Sequence, residues 1–426
     1  MKYFEPNIVI VDDHQQEIQD ILDYYKNNGI GCKLLNPDYV DGDDMPEKHF
    51  SDVNIIYLDL YYSGKFDAEQ CSNWIRSIVD EKTFYILVLW TKDISKASEV
   101  LELLTTHNRK PFLSIEKNKT EYPSKTGESK YDFQQLIQEI NQIIENNNAL
   151  EEIFTWKNNL KISSNNVISN ITKDPFQIND KLKKIIISHG GKSIIESDNA
   201  LRKRGILFEA LDTILISNTQ KNISSNINPE TIEQIYNLQA IQQPFIDKEL
   251  NSWFHFKLEK KINNELIVPG LISEFKENEW KEMYSIHNDK NVMEYISKQI
   301  GDKVQVSSIA LLLTRPCDIA QNKYGRNLKL ISGLKIINPV RKTNIKMEFQ
   351  KGSSDIDSVK LYDHLYFSAE ENDVTLLFDF RYNFSVPEKI FKEQFDKIKI
   401  FNKELLSEMQ VEYSSYSSRL GITQII

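Results

Sequence analysis

Five polar side chains follow directly on four short strand-like runs, and their types are those needed to handle a phosphoryl group. Asp12 and Asp13 follow Ile8-Val9-Ile10-Val11, and Asp59 follows Ile55-Ile56-Tyr57-Leu58. Thr91 follows Ile86-Leu87-Val88-Leu89-Trp90, and Lys117 follows the segment from Pro111 to Glu116. Three carboxylates brought to one crevice repel one another and are costly to ionise together unless a cation sits among them. A hard divalent ion with oxygen ligands, Mg²⁺ foremost, meets that need through carboxylates, water and phosphate oxygens. An aspartate beside such an ion can attack a phosphoryl group and give an acyl phosphate. A hydroxyl and an ammonium then hold the transferred oxygens, which suits Thr91 and Lys117. Taken singly these residues carry little, since an aspartate after an apolar run is commonly a helix cap. The argument lies in the set.

The elements that must position them are legible in the same stretch. The apolar runs have the length and β-branched content of strands buried on both faces, as in a parallel sheet, whose carboxyl ends collect ligands. Between them, His14 to Asn28 places Ile18, Ile21, Leu22 and Tyr25 on one helical face, with Gly29 as a stop. Gly31 to Leu35 reads as a second strand, and the acidic, proline-broken region from Pro37 to Asp52 has room for one weak helix. A helix is predicted from Asp67 to Val79 with Cys71, Trp74, Ile75 and Ile78 inward, and another from Ser95 to Thr106. Asn118 to Lys130 is a loop by composition. From Tyr131, residues Phe133, Leu136, Ile140, Ile143, Leu150, Ile153 and Phe154 recur near a heptad period, interrupted at Asn146-Asn147-Asn148. Such a helix packs on the sheet in its first half or pairs with a second copy in a homodimer. Strands alternating with helices in this way predict a flavodoxin-like α/β domain over residues 1–148, with a doubly wound, five-stranded parallel sheet.

The rest of the 426 residues is less specific. Residues 149–300 read as a mostly helical region, with Trp156, Leu160, Ile206, Leu207, Leu211, Ile214 and Leu215 among its inward positions. Residues 301–426 read as an α+β domain, with strands at Val306 to Leu313, Leu328 to Ile337, Val359 to Phe367 and Val374 to Phe380, and a last helix from Glu388 to Glu408. Cys317 and Asp318 follow a strand that breaks at Pro316. A buried structural cysteine is the ordinary reading, and nothing in the sequence ties His255 or His364 to it. The net charge of -10 argues against a broad nucleic-acid surface, and no helix-turn-helix signature stands out. Three scattered cysteines fit a reducing compartment, and no apolar run approaches the roughly 18 residues that span a bilayer. The expectation is a cytoplasmic protein with no DNA and no membrane partner.

On the acidic pair Asp12-Asp13, the phosphoacceptor position Asp59, the hydroxyl position Thr91 and the lysine Lys117, residues 1–148 resemble a response-regulator receiver domain of two-component signalling. The resemblance implies that a histidine kinase phosphorylates Asp59, and that Asp12, Asp13, Asp59 and the backbone carbonyl of Tyr61 hold Mg²⁺. It also implies that Thr91 moves toward the phosphoryl group and reshapes the neighbouring face for a downstream effector protein. Two positions depart from the family: Asn118 stands where proline usually follows the lysine, and Ser114 stands at the aromatic switch position. Tyr61 and Asp93 occupy the places that flank hydrolytic water, and a tyrosine there shields the phosphoryl group. The overall layout also resembles receiver proteins of bacterial defence-associated two-component operons, which implies a phosphorelay or phosphoryl sink in antiviral defence. Two other readings stay open: a pseudo-receiver that serves as a docking scaffold, and a receiver that gates a C-terminal effector around Cys317.

Overall fold

The computed structural model describes residues 5–124, 131–191, 194–196, 198–219, 227–238, 246–257, 262–300, 305–315, 318–319, 325, 327–339 and 358–418. The chain divides into two units, Met1–Trp156 with Ile227–Tyr236, and Lys157–Asn226 with Asn237–Ile426.

In the first unit the apolar runs become β1 (Ile8–Val11), β2 (Cys32–Leu35), β3 (Ile55–Leu58), β6 (Ile86–Thr91) and β7 (Leu113–Asn118), all parallel in the order β2-β1-β3-β6-β7. Setting aside a small hairpin of β4 (Tyr61–Tyr62) and β5 (Lys65–Phe66), this is the 2-1-3-4-5 order of flavodoxin-like sheets. Helix α1 (Gln15–Asn27) covers one face with Ile18, Ile21 and Tyr25, joined there by α4 (Phe133–Glu145) through Phe133, Leu136 and Ile140. On the other face, α2 (Ala68–Ile78) buries Cys71, Trp74, Ile75 and Ile78, and α3 (Ala97–Thr106) buries Val100 and Leu104. Asp67 caps α2 by accepting from the backbone N–H of Gln70 at 3.0 Å. Every residue of β1 and β6 is buried, as a sheet sandwiched between two helical layers requires.

The weak helix expected between Pro37 and Asp52 does not form. Side chains of Asn36 and Asp38 accept hydrogen bonds from backbone N–H groups two and three residues on, which offers the chain turns in place of a helix. Met45 and Phe50 from this loop pack against the α2 face instead. The break at Asn146-Asn147-Asn148 is real, because α4 ends at Glu145 and α5 (Asn148–Ile171) begins anew. Leu150 and Phe154 of α5 still pack with the α1 and α4 cluster.

The second unit carries a separate antiparallel sheet in the order β11-β12-β10-β9-β8-β13. Its strands are β8 (Leu271–Phe275), β9 (Gln305–Leu312), β10 (Asn327–Ile337), β11 (Val359–Leu365), β12 (Val374–Pro387) and β13 (Phe395–Ile400). Two expectations are corrected here. β8 lies inside residues 149–300, so that stretch is not all helix and a boundary at 300 would cut β8 from the sheet it belongs to. The single last helix from Glu388 to Glu408 is two helices, Glu388–Gln394 and Lys403–Ser417, separated by β13. Phe395 and Lys397 alternate with exposed Asp396 in β13, a period of two that pairs with β8 and overrides the helical period on either side. The helices between Asn148 and Thr219 are only partly inward: Ile206 is buried, while Trp156 is 63% and Ile214 40% exposed. Among the described residues, no helix is long and apolar enough to cross a membrane.

Candidate functional site

The carboxyl edge of the parallel sheet brings Asp12, Asp13 and Asp59 together, with ligand atoms of all three within 4.8 Å of one another. Each is delivered by a buried strand, so its position is set by the ladder and not by a free loop. Asp59 Oδ1 accepts from the backbone N–H groups of Leu60 at 2.7 Å and Tyr61 at 3.3 Å, and Asp12 Oδ1 accepts from His14 N at 2.8 Å. Asp13 Oδ2 accepts from Ser63 N at 2.5 Å, while Asp13 Oδ1 is buried with no hydrogen-bond partner. The half-exposed His14 ring lies 3.9 Å from that oxygen, at the rim and outside hydrogen-bond range.

The lysine at the centre is Lys119, not Lys117. Lys119 Nζ donates to Asp59 Oδ2 at 2.5 Å and Asp12 Oδ2 at 2.8 Å, and its side chain is 0% exposed. Lys117 Nζ instead donates to Glu139 Oε2 of α4 at 2.6 Å. The physical reason is strand length. β7 stays paired through Trp90↔Lys117 and Thr91↔Asn118, so Lys117 is still inside the ladder, on the face of Ile115 that packs against α4. Asn118 then caps a short 3₁₀ turn by accepting from Thr120 N at 2.9 Å, and Lys119 opens that turn toward the carboxylates. The Asn-x-Thr cap signal at 118–120 is the clue in the sequence that the strand runs three residues past its last apolar residue, Ile115. Counted from Lys119, the following residue is Thr120 and the third before it is exposed Glu116, so neither a proline nor an aromatic ring stands there.

Burial dominates the electrostatics. It pushes the Asp12 carboxyl up to about 6 against the pull of Lys119, with the neighbouring charge of Asp59 adding to the rise. Burial also works against the Lys119 ammonium, but the carboxylates of Asp12 and Asp59 outweigh it and hold Lys119 above the ordinary lysine range. The Lys119 ammonium thus pairs with Asp12 and Asp59 and leaves Asp13 to the Ser63 N–H. The buried, unpartnered Asp13 Oδ1 and the excess of hard oxygen donors fit a divalent cation such as Mg²⁺.

Thr91 ends β6 on the strand next to β3 and is 0% exposed, yet its Oγ1 has no hydrogen-bond partner. Leaving a hydroxyl buried and unsatisfied costs about 1–3 kcal/mol, which an oxygen-rich ligand would recover. Its neighbour Trp90 sits in an aromatic cage, with ring centroids of Tyr122 at 5.4 Å and of Tyr131 and Phe133 at 5.6 Å. At the rim, the Tyr61 hydroxyl donates to Asp93 Oδ2 at 3.0 Å, so the two residues that flank Asp59 and Thr91 are latched to each other.

Among the C-terminal candidates, His364 lies with Asp363 and Asp373 in a half-buried group whose ligand atoms fall within 4.8 Å of one another, and His255 is not part of it. Cys317 lies outside the described residues; Asp318 N donates to Arg315 O at 3.0 Å. His255 Nδ1 meets Asn251 O at 2.6 Å, and His364 Nε2 lies 3.7 Å from Asp363 Oδ2. Asn251 in turn donates to the carbonyls of Asp363 and His364, tying the helix Lys248–His255 to the irregular end of β11. Comparison with known proteins finds no matching protein-family model and no matching curated protein.

Proposed function

We propose that the parallel-sheet unit is a receiver that accepts a phosphoryl group on Asp59 from a histidine kinase and passes the signal on through protein contacts. The observation that carries this reading is the edge of the sheet itself: three carboxylates, one buried ammonium and one buried hydroxyl with an open hydrogen bond. Asp12, Asp13, Asp59 and the Tyr61 carbonyl would hold Mg²⁺, which supplies positive charge to phosphoryl oxygens when bound. In the transfer, the phosphorus–nitrogen bond of the donor phosphohistidine breaks as a bond forms from phosphorus to an Asp59 carboxylate oxygen. The leaving imidazole takes up a proton. Leu60 N and Tyr61 N fix the Asp59 carboxylate, Lys119 balances the charge beside it, and the Thr91 hydroxyl donates to the incoming group. The Tyr61 latch onto Asp93 closes the flank from which water would approach.

The test is intact mass after incubation with Mg²⁺ and a small phosphodonor or the kinase. Wild type gains one phosphoryl group and Asp59→Ala gains none; no gain in wild type with an active kinase overturns the reading. In the same spectra followed over time, Tyr61→Ala loses its phosphoryl group at least about threefold faster, on the order of 0.7 kcal/mol in barrier. An unchanged lifetime removes the shielding role from Tyr61.

A further inference from the structure

The hairpin that directly follows Asp59 does more than connect β3 to α2. Its two-residue turn, Ser63-Gly64, has φ of 49° and 77°, the doubly left-handed geometry of a tight type I′ turn. Gly64 takes that conformation freely, whereas serine takes it only where surroundings enforce it. Those surroundings include two carboxylates. The Ser63 backbone N–H donates to Asp13 Oδ2 at 2.5 Å, and the Ser63 hydroxyl donates to Asp38 Oδ2 in the loop between β2 and β3. Asp38 is itself fixed, its other oxygen accepting from Val40 N and Asp41 N. The Ser63 hydroxyl, followed by those two N–H groups, holds the Asp38 carboxyl below the usual range, so it is an acceptor at neutral pH.

We infer that Ser63 and Asp38 are positioning residues for the metal ligand Asp13, setting its carboxylate so that Oδ1 faces Asp12 and Asp59. The inference rests on the Mg²⁺ reading of that cluster. Its independent support is Asp13 itself, whose side chain is only 3% exposed and whose Oδ1 has no partner although Oδ2 is engaged. A carboxylate can rotate, and with one oxygen pinned by Ser63 the other is left for a cation. Supports of this kind orient metal ligands, and their loss typically weakens metal affinity about 10–100-fold. The chain of contacts, Asp38 to Ser63 to Asp13, gathers the β2–β3 loop, the hairpin and the end of β1 at the cluster.

The experiment is calorimetric titration of the full chain with Mg²⁺ alone, with no phosphodonor, beside thermal unfolding of the metal-free proteins. Ser63→Ala keeps the N–H but loses the link to Asp38, and it should weaken Mg²⁺ binding about tenfold. Asp38→Ala should match it, while Asp38→Asn, which keeps an acceptor oxygen, should bind within about threefold of wild type. Glu139→Gln, on α4, should leave the affinity unchanged. Asp38→Asn as weak as Asp38→Ala would mean that the charge of Asp38 attracts the ion, and the positioning role falls. Ser63→Ala with wild-type affinity overturns it as well. Wild type that takes up no Mg²⁺ overturns this inference together with the metal assignment, whereas the mass test above can succeed or fail on its own.

Discussion

The two sheets treat charge in opposite ways. In the antiparallel unit, several ionised side chains that leave water have charged or polar partners among the described residues. Lys335, 6% exposed at the side chain, meets both Glu274 at 2.5 Å and Glu371 at 2.8 Å. Asp379, fully buried, takes three hydrogen bonds from the Arg381 guanidinium and one from its backbone N–H. Lys397 donates to the carbonyls of Phe391 and Phe395. At the edge of the parallel sheet the account does not close, because three carboxylates face one Lys119 and a buried oxygen of Asp13 has nothing to accept. Matched charge holds a fold together; surplus charge of one sign marks where something else is expected to bind.

That contrast can be broken by mutation. The largest effect is expected at Lys335→Met, which leaves Glu274 and Glu371 facing each other and lowers stability by about 2–3 kcal/mol, read from the denaturant midpoint. A midpoint equal to wild type would make the second unit's pairing incidental. The next effect is on the surplus side and has the opposite sign. Asp13→Asn keeps an acceptor for Ser63 N and removes one repelling charge, so the metal-free protein should gain about 1 kcal/mol in the same measurement. Wild type alone should then respond to Mg²⁺, by about 2.7 kcal/mol at a hundred times its dissociation constant. Loss of stability in metal-free Asp13→Asn would refute the surplus. The smallest effect is at Glu139, where hydrogen bonds from Lys117, Tyr122 and Gln135 hold the carboxyl down at about 2 against 4.5. A depressed carboxyl stabilises the fold above pH 4.5 and loses that contribution as pH falls toward about 2. Glu139→Gln should therefore flatten the acid limb of the stability profile in that window and leave stability at pH 7 within a few tenths of a kcal/mol of wild type, since the pair is partly solvated. An acid limb identical to wild type would show that the contact with Lys117 carries no weight.

What the sequence makes legible follows the same division. Asp12, Asp13 and Asp59 follow strands that end where their apolar runs end, and Thr91 is the last residue of β6, one past its apolar run, so position can be read by counting. At β7 only Leu113 and Ile115 are apolar in the paired stretch, the strand continues through polar residues, and counting from the apolar end selects Lys117 instead of Lys119. Ser63 and Asp38 are illegible for a different reason: their contacts span 50 and 25 residues and depend on a turn shape that Ser-Gly only permits. In the second unit β8 and β13 hide because each is short and flanked by helical pattern, and pairing across the sheet, β8 with β9 and β13 with β8, fixes them as strands.

Trp90 carries one more consequence. Its indole is buried one residue from Thr91, within the ring contacts of two tyrosines and a phenylalanine. Tyrosine emission overlaps indole absorption, so the cage is a set of energy donors around a single acceptor, and small rotations alter both transfer and quenching. The chain thus has a native optical reporter wired next to the hydroxyl that the phosphoryl group would engage. With Trp90→Phe reporting the background of the other four tryptophans, the unlabelled protein can be followed through a stopped-flow cell as it meets metal and donor.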